Sequence, residues 1–176
     1  MIFYFLIPLV ILCIFFYIYK NYKIKKNVFA KISKLAELNN YNITKSNDKI
    51  SDFILENDND IIFIKYINIP KNSSITVNSK STWCLRYGGG SREGRSYPNK
   101  EYLTDLTPFL NKEYNCNKKV RKVTLIYPST EKLLKYINES EIITLKQSDI
   151  VYGTQIILFC NIDEFLFEST PHSHCF

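Results

Sequence analysis

From residue 2 to residue 19 the chain carries no charge, and Lys20, Lys23, Lys25 and Lys26 follow at once. No other feature constrains the fold as much. A helix of that length spans about 27 Å, near the ~30 Å thickness of a bilayer's hydrocarbon core. Leu, Ile, Phe and Val dominate the run. Tyr17, Tyr19 and Tyr22 stand at its far end, where amphipathic rings prefer the headgroup layer. A cleaved signal peptide would need a basic start, a shorter apolar stretch and a small-residue cleavage site, none of which is present. Pro8 falls in the first half, where a membrane helix tolerates it. The pattern predicts an uncleaved, single-pass transmembrane anchor over residues 1–20.

The anchor leaves about 150 residues, enough for one domain with its own core. The net charge of +6 is unevenly spread. Lys20, Lys23, Lys25, Lys26, Lys31 and Lys34 stand against Glu37 alone, and the other 17 basic and 16 acidic residues nearly cancel. A basic segment beside a membrane helix suits a stop signal and anionic headgroups better than nucleic acid. The lipid bilayer is therefore an expected partner and nucleic acid is not. The positive-inside rule would hold the domain on the cytoplasmic side. The cysteines pull the other way: Cys13 lies in the anchor, and Cys84, Cys116, Cys160 and Cys175 remain for the domain. Four cysteines allow two disulfides in three connectivities, or four buried thiols in a reducing compartment.

Residues 21–39 read as a basic juxtamembrane helix, with Val28, Phe29, Ile32, Leu35, Ala36 and Leu38 in an apolar stripe. Residues 40–176 then read as one α+β domain with a mixed, largely antiparallel sheet and a few helices. Short β-rich runs cover residues 52–55, 61–69, 74–77 and 83–87. The Asn57-Asp58-Asn59-Asp60 turn makes the first two a hairpin. Residues 88–100 form a loop, and Pro108 limits residues 102–115 to short helices. A strong strand over 120–127 precedes a predicted helix to about residue 138, capped by Ser129 or Thr130. Strands over 141–145 and 151–161 complete the domain.

Residues 81–98, STWCLRYGGGSREGRSYP, concentrate unusual chemistry. They hold the one tryptophan, Trp83, four of the five glycines (Gly88, Gly89, Gly90, Gly94) and three of the four arginines (Arg86, Arg92, Arg95). Guanidinium makes planar bidentate bonds and stacks on rings, as lysine cannot. Consecutive glycines allow positive φ and close approach. Trp, Tyr and Arg are also the residue types of interface hot spots. A phosphate cradle would need a Walker lysine pattern or a spaced glycine fingerprint, and neither is present. A structural loop, with Trp83 in the core and the arginines paired to acids such as Glu93, stands beside the preferred reading. That reading is a docking loop in which Trp83, Arg86, Tyr87, Gly88, Gly89, Gly90, Arg92, Arg95 and Tyr97 meet a protein partner.

Catalytic groupings are hard to assemble. His172 and His174 are the only histidines and sit at the C-terminus beside Cys175, so a Ser-His or Cys-His nucleophile in the body of the domain is not expected. The element order resembles the restriction-endonuclease-like nucleases, with Asp52 and Lys65 in the first and last metal-site positions. Phe63 then stands where an acidic ligand is required. No catalytic residue, metal or cofactor is assigned.

An N-terminal apolar run ending in lysines, a single domain of this size and the Trp-Cys-Leu-Arg-Tyr-Gly-Gly-Gly segment followed by Arg-Ser-Tyr-Pro resemble one known family. It is the fourth per os infectivity factors, small envelope proteins of the occlusion-derived virion of baculoviruses and related large insect DNA viruses. The resemblance spans nearly the whole chain and rests on layout and residues 81–98. It implies a non-catalytic subunit of an entry complex on the virion envelope, partnered by other envelope proteins and acting at the midgut epithelium. It also implies sorting through the host inner nuclear membrane. The alternative is a membrane-tethered cytoplasmic module with a degenerate nuclease-like or nucleotide-binding domain.

Overall fold

The computed structural model describes residues 2–89, 97–138 and 140–167, the side chains of residues 2–6, 9 and 165 excepted. The chain divides into two compact units, residues 1–40 and 41–176. The first unit is one continuous helix, α1 (Ile2–Leu38), with no break at residue 20. The anchor expected over residues 1–20 is corrected here. Among the described residues no helix is long and apolar enough to cross a membrane. Farther along, Val28, Ile32, Leu35 and Ala36 are buried at helical spacing, whereas Leu38 is exposed. Asn40 ends the helix in the left-handed region, at φ 59°, and the Asn39 side chain donates to the Leu35 carbonyl.

The second unit is built on two sheets. The first has the order β1 (Asn42–Lys45), β2 (Phe53–Glu56), β3 (Asp60–Asn68), β7 (Lys119–Tyr127), β11 (Thr154–Leu158), β10 (Ile150–Val151). The second has the order β6 (Asn99–Tyr102), β5 (Trp83–Tyr87), β4 (Ser73–Val77), β8 (Lys132–Asn138), β9 (Glu141–Thr144). Two short helices, α2 (Thr107–Asn111) and α3 (Ile162–Phe165), follow 3-10 turns at Thr104–Leu106 and Phe159–Asn161. Asn57 makes the β2–β3 hairpin: its side-chain carbonyl accepts from the backbone N–H of Asn59 and Asp60.

One pair of strands supplies the middle of both sheets. β3 and β7 run parallel from Asp60 opposite Lys119 to Asn68 opposite Tyr127. Both segments then turn a corner together and continue as β4 and β8, again parallel. The corner is stitched by backbone bonds from Ile69 N to Tyr127 O and from Glu131 N to Ser73 O. The Thr130 hydroxyl adds a third, to the Ser73 carbonyl at 2.8 Å. The pairing is mixed and largely antiparallel, as the sequence suggested, but it is divided between two sheets, and the antiparallel pairs surround parallel seams.

The helix predicted to about residue 138 is instead strand β8. Thr130, read as a helix cap, spends its hydroxyl on the corner, and Leu133 and Leu134 alternate inward and outward in register with Ile75 and Thr76. Pairing with a strand close to sixty residues earlier overrides the local helical signal. β1 and β6 were not foreseen in the sequence. Both are four-residue edge strands without an apolar alternation to betray them.

The core lies between the sheets. Phe63, Ile126, Ile156 and Leu158 from the first meet Ile75, Val77, Trp83, Leu85 and Leu133 from the second, with Leu106, Phe109 and Leu110 closing one end. Within this layer Thr124 and Thr154 pair their hydroxyls at 3.0 Å, satisfying two buried polar groups together. The opposite face of the first sheet is also buried: Phe53, Leu55, Ile62, Ile64, Val123, Leu125 and Ile157 are inaccessible to solvent or nearly so. Burial on both faces explains its runs of consecutive apolar residues.

Candidate functional site

The second sheet has its inner face in the core, so its outer face presents side chains to solvent. Residues directly opposite on neighbouring strands share a face. Lys100 lies opposite Arg86, Arg86 opposite Ser74, and Ser74 opposite Lys132. The three cations, all exposed, thus form one row across four strands. Strands sit about 4.8 Å apart, so the row spans about 14 Å. Among the described residues none of the three is ion-paired. A second row runs beside it through Tyr102, Cys84, Thr76, Leu134 and Thr144. The ammonium of Lys100 stands 4.8 Å from the centre of the Tyr102 ring, joining the rows at the β6 edge. A hydrogen bond with Tyr102 raises the Lys100 pKa, so this end of the row keeps its charge through the neutral range.

The glycine segment begins where this row ends. Gly88 follows β5 at φ +87°, a backbone conformation that residues with a Cβ rarely adopt, and a Cβ there would also displace the Asn99 side-chain amide. On the return limb, the Tyr97 hydroxyl donates to Glu131 at 2.7 Å. That bond holds the phenol above its ordinary pKa and ties the segment's exit to the corner before β8.

The residues picked out in the sequence therefore divide. Arg86 is exposed on the outer face, with Tyr87, Gly88 and Gly89 at its end and Tyr97 on the return. Trp83 is a correction: at 1% exposed it is a core residue facing the first sheet and cannot touch a partner. Gly90, Arg92 and Arg95 lie outside the described residues. Of the two states left open for the cysteines, disulfides or reduced thiols, the described residues show the second. Cys84, Cys116 and Cys160 are free thiols, the first buried in β5 and the other two exposed, and Cys175 lies outside the described residues with His172 and His174. Lys100 and Lys132 were missed. They are ordinary lysines in sequence and acquire meaning only through a register that links residues 86, 74 and 132.

A second polar grouping surrounds the loop before β2. Asp48 accepts hydrogen bonds from the Ser46 and Ser51 hydroxyls, from the backbone N–H of Ile50 and Ser51, and from the Lys112 ammonium at 2.7 Å. Burial opposes its ionisation, but these donors outweigh it and hold the carboxyl well below the usual range. The Lys122 ammonium is spent on the carbonyls of Leu110 and Lys112. These bonds tie loops together and leave the carboxylate fully engaged. Nearby, Asp52 and Lys65 approach to 3.7 Å, and the Asp52 carboxylate also accepts from Tyr66 N. Phe63, in the middle nuclease position, projects from the same face of β3 as Lys65 but supplies no oxygen ligand, and its ring stacks on Tyr114 with centres 3.6 Å apart. Among the described residues no group of three or more His, Cys, Asp or Glu is placed to hold a metal ion. The donor set for a two-carboxylate nuclease centre is not assembled there.

No family model matches the chain, and neither a curated protein nor a solved structure matches it.

Proposed function

We propose that this protein is a non-catalytic docking subunit of a multiprotein assembly, and that the outer face of its second sheet receives an acidic surface of a neighbouring subunit. The observation that carries the reading is the Lys100–Arg86–Lys132 row, aligned by strand register and without an ion-pair partner among the described residues. A planar guanidinium between two ammonium groups suits carboxylates presented by a folded partner, and charged surfaces of this kind steer association and select orientation. The resemblance of residues 81–98 to the per os infectivity proteins supports an entry complex of the occlusion-derived virion, working at the virion envelope, as that assembly.

The test is charge reversal. Arg86→Glu with Lys132→Glu should lower recovery of co-expressed infectivity-complex subunits at least tenfold and leave the far-UV spectrum unchanged. Recovery equal to wild type at physiological salt, with the fold intact, refutes the reading.

A further inference from the structure

The two sheets have four outer edges, and three are guarded. β6 follows Pro98 and carries Lys100 and Glu101, β1 carries Lys45, and β10 has two residues. Charges, prolines and short length are the usual devices that keep an edge strand from pairing with another chain. β9 is equally short, carries Glu141 and lies against a register shift in β8, but its two middle positions are apolar and open: Ile142 and Ile143 are 56% and 37% exposed, beside an equally accessible Ile137.

The hydrogen-bond phase of β9 specifies what it can accept. Leu145 N donates to Leu133 O, and these two residues continue the β8–β9 register. In an antiparallel ladder bonded and non-bonded pairs alternate. The next bonded pair is therefore Ile143 with Lys135, and the N–H and C=O of Ile142 and Thr144 point away from the sheet. These outward groups flank Ile143 symmetrically, which makes the edge its own complement.

We infer that β9 pairs antiparallel with β9 of a second copy, about a twofold axis at Ile143. In that register Ile142 exchanges both backbone bonds with Thr144 of the second copy, and the reverse, giving four bonds from a four-residue strand. The two Ile143 side chains meet across the axis as a close non-bonded pair. Glu141 falls opposite Leu145 of the second copy, so like charges never face each other. The second sheet becomes a continuous ten-stranded sheet with both cationic rows on one side, an isologous contact of the kind that closes dimers. This contact uses an edge that the docking reading does not, so each can fail alone.

Cysteine crosslinking of the full-length chain, with Cys13, Cys116, Cys160 and Cys175 changed to Ser, tests the register. Facing Cβ atoms at a non-bonded pair lie about 5 Å apart, within disulfide reach, so oxidised Ile143→Cys should run largely as a covalent dimer. Glu141→Cys, about 13 Å from its counterpart, should not. Adding Thr144→Pro deletes one outward donor without touching the β8 ladder, and should abolish the Ile143→Cys crosslink while the far-UV spectrum stays native. Absence of the Ile143→Cys dimer, equal yield at Glu141→Cys, or a crosslink undiminished by Thr144→Pro in a folded chain overturns the inference. Should Thr144→Pro not fold, the contrast between positions 143 and 141 decides. Arg86→Glu, which tests docking, should leave the crosslink unchanged.

Discussion

The two sheets share the chain segments that form their parallel seams, β3–β4 and β7–β8, yet they are used differently. The first sheet hides both faces, and its central strands bury consecutive positions, as at residues 62–64 and 123–126. The second hides one face and sets Arg86, Thr76, Lys100 and Lys132 toward solvent. The corner at Ile69 and Tyr127 divides the two regimes. The same pair of strands serves as scaffold before the corner and as display surface after it.

Substitutions can break this contrast, beginning with the largest effect. Leu125→Asp buries an unpaired carboxylate in the first sheet and should unfold the second unit, at a cost above about 4 kcal/mol. Thr76→Asp, on the outer face of the second sheet, should cost under about 1 kcal/mol by urea titration. Comparable losses would mean that the second sheet is covered as fully as the first. Phe63→Ala removes a ring that spans the core and stacks on Tyr114, and should cost about 3–5 kcal/mol.

Asp48→Asn should cost about 1–2 kcal/mol at neutral pH, because five donor groups lose a charged acceptor. The sign of its pH dependence follows from a carboxyl depressed in the folded state. The stabilisation is fully present above the unfolded carboxylate pKa near 4 and is lost as pH falls toward the folded value. Melting curves of wild type and variant should therefore converge below about pH 4. A constant gap down to pH 2 would mean that the Asp48 bonds do not depend on its charge. Smallest in stability, Arg86→Ala should change unfolding by less than about 0.5 kcal/mol while weakening partner capture. Its stability effect and its binding effect should separate cleanly, as they cannot for Trp83.

What was legible in the sequence follows the local physics. The β2–β3 hairpin announced itself through Asn57, and β7 through its alternation at residues 123–127, because turn chemistry and side-chain period act within a few residues. β8 did not, since its state is set by Ser73 and β4. The apolar N-terminal run illustrates another limit: absence of charge over residues 2–19 is a weaker property than spanning a bilayer. Among the described residues no helix is long and apolar enough to cross a membrane. At the candidate site, Arg86 and the glycines stood out by rarity. Trp83 stood out for the same reason and proved to be core, because large aromatic rings serve interfaces and interiors alike. Lys100 and Lys132 became meaningful through register alone.

The parallel seams carry a consequence for how the chain is made. Each joins residues close to sixty positions apart, Asp60 with Lys119 and Ser74 with Lys132. A ribosome adding about 5–20 residues per second delivers the second partner several seconds after the first. During that interval residues 61–64 are an apolar strand with one side unpaired, held only by the β2 hairpin. Neither sheet can close until β7 and β8 have emerged, so the domain matures late and nearly at once. A chain cut before residue 119 holds every residue of β3, β4 and β5 and still lacks the strand each sheet is built around.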